Sequence, residues 1–106
     1  MAGKGAQVTV LYPKKEGVTF KLDYYLATHM PLVAKTWTKY GLKSYSVVQN
    51  GPDAPFSIST VMEWESSEGI GKAFKDPGTA EVMGDIANFS SEQPVLLTGE
   101  VVGRSS

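Results

Sequence analysis

Between residues 22 and 40 the periodic positions recur at spacings of three and four: Leu22, Tyr25, Leu26, His29, Leu32, Val33, Thr36, Trp37 and Tyr40. That period belongs to one long amphipathic helix, and Gly41 is placed to end it as a C-terminal cap. On either side the pattern changes. Residues 7–12, QVTVLY, are rich in β-branched and aromatic side chains and stop at Pro13, with a polar loop after it, so they read as a first strand. LKSYSVVQ, residues 42–49, reads as a second strand. Residues 55–64 read as a third, setting Phe56, Ile58, Thr60, Met62 and Trp64 against Ser57, Ser59, Val61 and Glu63. The intervening NGPDA is turn chemistry and suits a hairpin.

Ser66 or Ser67 can cap a second helix through Phe74 and Lys75, and Asp76 with Pro77 can start a further helical piece to about Ile86. PVLLTGEVV, residues 94–102, is the last strand. The order β-α-β-β-α-β predicts an α+β, ferredoxin-like subunit, with a four-stranded antiparallel sheet and helices on one face. The 106 residues form a single domain with a core at about 6–103, and the terminal AGKG and GRSS are expected to fray. A chain this short buries a modest core, so a second copy is a natural supplement.

Composition excludes several classes of function. Ten basic and eleven acidic side chains give a net charge of -1 with no long run of either sign, so nothing attracts nucleic acid or an anionic membrane. There is no cysteine, which removes disulfides, thiolate metal sites and thiol catalysis. No apolar stretch reaches bilayer length and the start lacks a signal-peptide core, so a cytoplasmic location is expected. One histidine and scattered carboxylates give no metal-ligand spacing, and no phosphate-cradling glycine loop is present.

The one histidine sits in DYYLATHMPLV, residues 23–33. With a turn of about 100° per residue, Leu22, Tyr25, Thr36 and Tyr40 lie within roughly 40° of His29, so the imidazole faces inward. Pro31 cannot donate to the carbonyl of Ala27, and the helix should kink or restart there. Two roles for His29 follow: a core histidine that donates to a nearby carbonyl, or a pocket-lining general acid or base, for which its reference pKa near 6.5 is suited. Periodicity alone does not choose.

Asp23-Tyr24-Tyr25, then three residues, then His29-Met30-Pro31-Leu32, resembles the D-Y-Y-x-x-x-H-x-P-L signature of the EthD family, named for a small protein associated with ethyl tert-butyl ether degradation. Residues 85–102, DIANFSSEQPVLLTGEVV, look like the family's carboxy-terminal segment, where an Asn-Phe pair precedes the last strand. One departure is Phe20-Lys21, where family members usually carry an acidic residue; Thr19 is left as the candidate helix cap. The resemblance implies a homodimeric α+β barrel of two ferredoxin-like subunits packed sheet to sheet. It also implies a small apolar or aromatic ligand, and relatives in this superfamily include cofactor-free monooxygenases, cyclases, isomerases, dehydratases and decarboxylases. The oxidoreductase label attached to the family comes from its association with a monooxygenase system.

On this reading His29 and Tyr25 are the candidate catalytic residues, with Tyr25 one turn away to orient the imidazole or stabilise oxyanion charge. Asp23, Trp37, Tyr45, Trp64, Asn88 and Phe89 are candidates for ligand binding. Each also has a structural reading: Asp23 complements the helix dipole, the aromatic residues fill core or interface, and Asn88 satisfies a turn. No cofactor is expected, although related barrels include haem proteins with a single axial histidine. The competing functional reading is a non-catalytic accessory or carrier protein that supports an oxygenase system.

Overall fold

The computed structural model describes residues 5–105, so of the AGKG and GRSS ends expected to fray, residues 2–4 and 106 lie outside the described residues. Within them the ends are tied down: the Val101 N–H donates to the Gly5 carbonyl at 2.9 Å, and Arg104 pairs with Glu63 at 2.9 Å. Four strands, β1 (Ala6–Pro13), β2 (Leu42–Gln49), β3 (Phe56–Trp64) and β4 (Val95–Glu100), form one sheet in the order β2-β3-β1-β4. Every pairing is antiparallel, and β1 lies between β3 and β4. This is the split βαβ topology expected from the order of periods.

Side chains on β1 and β3 alternate as a half-covered sheet requires. Ala6, Val8, Val10 and Tyr12 of β1 pair with Trp64, Met62, Thr60 and Ile58 of β3, and all eight are buried beneath the helices. The other face carries Thr9, Leu11 and Val61, and the register extends it to Val48 on β2 and to Val95 and Leu97 on β4. Val48, Val95 and Leu97 are 44%, 42% and 55% exposed, so much of this apolar sheet face is left open among the described residues.

The long helix is not uniform. It begins as α1 (Leu22–Tyr24), opens into a π-turn over Tyr25–His29, continues as α2 (Met30–Trp37) and tightens into a 3₁₀ turn over Thr38–Tyr40. The Met30 N–H donates to the Tyr25 carbonyl, a step of five residues in place of four. The helix restarts so that Pro31 falls in the first turn of α2, where a missing N–H costs nothing. The extra residue shifts the inward stripe: Tyr25, His29, Met30, Val33 and Trp37 are buried, while Leu26, expected on that stripe, is 47% exposed. Gly41 closes the segment at φ 109°, in the left-handed region that glycine adopts without strain.

Thr19 does not cap α1. Its backbone pairs with Ser91, and Lys21 N–H donates to the Phe89 carbonyl at 2.7 Å, so the chain entering α1 is strapped to the segment before β4. The second helical region divides as expected into α3 (Ser67–Phe74), capped by the Ser66 hydroxyl on Gly69 N–H, and α4 (Gly78–Asp85), followed by a 3₁₀ turn over Ile86–Asn88. Asp76 Oδ1 accepts from the Gly78 N–H at 2.6 Å and so caps α4 from just before Pro77. Trp37 Nε1 donates to the Thr79 hydroxyl at 2.8 Å, joining α4 to α2. Among the described residues, no helix is long and apolar enough to cross a membrane.

The two glycines of α3 differ sharply in their surroundings. A Cβ on Gly69 would lie 2.1 Å from the Tyr40 carbonyl oxygen, whereas one on Gly71 would meet nothing within 4 Å. Gly69→Ala is therefore expected to lower unfolding stability by about 1–3 kcal/mol, and Gly71→Ala to raise it by roughly 0.5–1 kcal/mol. Urea unfolding midpoints moving in opposite directions would confirm this packing of α3 against Tyr40; a neutral Gly69→Ala would contradict it.

Candidate functional site

His29 is 4% exposed and stands at the end of the π-turn, held from three sides. The Tyr25 ring stacks on it at 5.3 Å and 17°, and the Phe89 ring tilts against it at 4.5 Å. From the end of α4, Asp85 Oδ2 lies 2.9 Å from His29 Nδ1. The other carboxylate oxygen accepts from the Tyr24 hydroxyl at 2.6 Å and from Asn88 Nδ2 at 2.9 Å. Two residues five apart, one just before the π-turn and one at its end, thus grip one carboxylate, Tyr24 by its hydroxyl and His29 by its ring.

The electrostatics assign the proton. Burial works to raise the carboxyl pKa of Asp85, but donations from Tyr24, Asn88 and His29 outweigh it and hold the group below the ordinary carboxylate range. Asp85 is then ionised at neutral pH and accepts. Burial lowers the pKa of the imidazole, and the Asp85 contact opposes this only in part, so His29 stays below its usual value and is neutral at pH 7. A neutral ring beside an acceptor carries its proton on Nδ1, which leaves Nε2 with a lone pair and no hydrogen bond among the described residues.

Beside that ring lies a cavity of about 20 Å³, between the helices and the sheet. Its walls include Tyr12, Val33, Trp37, Met62, Ile86 and Leu96. The volume has room for about one water molecule. Burial pushes the Tyr25 phenol up to about 12 and raises that of Tyr12 further, so both hydroxyls keep their protons at neutral pH. Tyr25 Oη and Thr60 Oγ1 share a hydrogen bond of 2.6 Å, deep beneath the helices.

The sequence-based candidates separate on this geometry. His29, Tyr25 and Phe89 are in mutual ring contact, and Trp37 lines the same cavity. Asn88 is exposed and reaches the site indirectly, through Asp85. Asp23 is exposed at the helix start, which agrees with its reading as a dipole-complementing carboxylate. Tyr45 is 38% exposed on the edge strand β2, and Trp64 packs on Trp37 at 5.8 Å; neither lines the cavity. Tyr25 does not orient the imidazole by a hydrogen bond: Asp85 does, while Tyr25 supplies a stacking face.

Four residues of the site went unmarked in the sequence. Asp85, Tyr24, Thr60 and Tyr12 become neighbours of His29 or Tyr25 only through tertiary packing. Two local signals existed: Tyr24 stands inside the Asp23-Tyr24-Tyr25 motif, and Asp85 and Asn88 are spaced three apart as residues on one helical face are. A haem does not fit beside His29, because the space that its ring lines holds about one water molecule.

No family model and no curated protein matches the chain. Among solved structures it is similar to an EthD-like protein from Ralstonia eutropha JMP134, at 33% identity and a TM-score of 0.82, covering 99% of this chain and 98% of that one. It is also similar to an ethyl tert-butyl ether d (EthD) family protein from Bacillus halodurans C-125, at 21% identity and a TM-score of 0.70 over 92% and 99% of the two chains. A dimeric protein of unknown function and ferredoxin-like fold from Bacteroides fragilis NCTC 9343 shares the fold at 11% identity, with a TM-score of 0.60 over 95% of this chain and all, 100%, of that one. With a third of its residues identical over nearly the full length of both chains, the protein belongs to the EthD-like family.

Proposed function

We propose that this protein binds a small, largely apolar organic molecule beside His29 and moves a proton on it at an activated carbon, without a bound cofactor. The observation that carries the reading is the Asp85–His29 pair: a half-buried carboxylate 2.9 Å from Nδ1 holds the proton there, and the ring lines a small, largely apolar cavity. A carboxylate–imidazole pair of this kind can serve as a general base, with the carboxylate fixing the tautomer and orientation of the ring. In the proposed step Nε2 takes the proton from the carbon, the imidazolium formed is stabilised by Asp85, and the same nitrogen returns the proton to a second position. Tyr25, stacked on the ring, and Phe89, tilted against it, hold the imidazole in place.

Two copies are proposed to pack sheet to sheet. The open apolar face bearing Val48, Val61, Val95 and Leu97 supports this, as does the dimeric description of the Bacteroides neighbour. Leu97→Arg should convert a dimer into a monomer by light scattering at micromolar concentration. A native protein that is monomeric under those conditions would contradict the pairing.

The catalytic reading is tested by deuterium uptake from D₂O at the acidic carbon of acetophenone and 1-phenyl-1,3-butanedione. The native protein should accelerate exchange, with a rate that rises with pH through a midpoint below 6.5 and then levels, because His29 works in its neutral form. His29→Gln should lose roughly 10²–10⁴ of that acceleration while retaining the native oligomeric mass. Equal rates in the variant would end the mechanism. Saturable binding of both ketones at His29 without any acceleration would replace it with the accessory or carrier reading.

A further inference from the structure

The cavity at His29 is too small for any organic ligand, yet it is not isolated. Between the end of α3, α4 and β4 lies a groove of about 280 Å³ lined by Phe74, Thr79, Met83 and Leu96. Met83 and Leu96 also line the inner cavity, so these two side chains form the partition between the spaces. They are not equally free to move. Leu96 belongs to β4, where it is paired with Val10 of the adjacent β1. Met83 projects from α4, is 41% exposed, and its unbranched thioether chain adopts several shapes at small cost. Thr79, one turn earlier on α4, is anchored by the Trp37 indole and by its own bond to the Ala73 carbonyl, so the start of the helix stays in place while Met83 moves.

We propose that Met83 is the gate and size filter between this outer groove and His29, and that it admits a neutral, flat, apolar ring. This rests on the binding reading above. The class of ligand follows from the lining: the groove has no ionisable side chain, and Phe74, 39% exposed, offers an aromatic face at its outer end. Swinging Met83 outward merges the two spaces into a volume near the lower end of small-molecule pockets, about 300 Å³. One aromatic ring then reaches Nε2, and a second fused ring must compete with the Met83 side chain for the partition.

The test is the perturbation of the His29 ring resonances by acetophenone and by 2-acetylnaphthalene in the native protein, Met83→Ala and Met83→Trp. Met83→Ala should tighten the dissociation constant of 2-acetylnaphthalene by about tenfold, with acetophenone changed far less, and Met83→Trp should weaken both by a similar factor. Unchanged ring resonances in the ligand-free variants confirm that the fold is kept. If both ketones shift the His29 ring with native affinity in all three proteins, the gate is overturned and the binding reading stands. If neither ketone shifts the ring in any of them, the binding reading fails and the gate falls with it.

Discussion

A helix that must pass through Pro31 has no donor for the Ala27 carbonyl, and the structure answers that constraint with a π-turn. The consequences reach well beyond a local kink. One extra residue in the turn brings His29 and Met30 inward together and turns Leu26 to solvent. It also sets Tyr25 beneath the imidazole, parallel enough to stack, and leaves Tyr24 directed at α4. Without that turn the two residues that reach Asp85 would not share one side of the helix.

Asp85 completes the arrangement from the opposite half of the fold. Three donors converge on its carboxylate, which keeps it ionised in spite of burial and places a fixed negative charge behind the imidazole. Desolvation and this charge act on His29 in opposite directions, and desolvation prevails. The balance yields a neutral ring, oriented by Asp85, that lines the cavity. The strap between residues 19–21 and 89–91 fixes the distance between the two halves, because it ties the entry of the first helix to the segment that carries Phe89.

Much of this was legible along the chain. Period-two and helical patterns gave the strand and helix order, Gly41 and Ser66 marked element ends through their own chemistry, and Pro31 announced an irregular helix beside the histidine. The form of the irregularity was not legible, since a regular rotation per residue cannot register a π-turn; this is why Leu26 was expected inward. The partner of His29 was hidden for a different reason. Asp85 lies 56 residues away, and only the packing of α4 against the first helix makes them neighbours. Asp23, the carboxylate closest in sequence, points to solvent instead.

Everything proposed for the site depends on Asp85 fixing the proton on Nδ1 and leaving Nε2 with its lone pair. The single histidine makes this directly measurable through long-range proton–nitrogen correlations of the ring in uniformly ¹⁵N-labelled protein at pH 8. A protonated Nδ1 and a pyridine-like Nε2 are expected in the native protein, reversed in Asp85→Asn, whose amide would donate where the carboxylate accepted. A native ring protonated on Nε2, or one indifferent to Asp85→Asn, would contradict it.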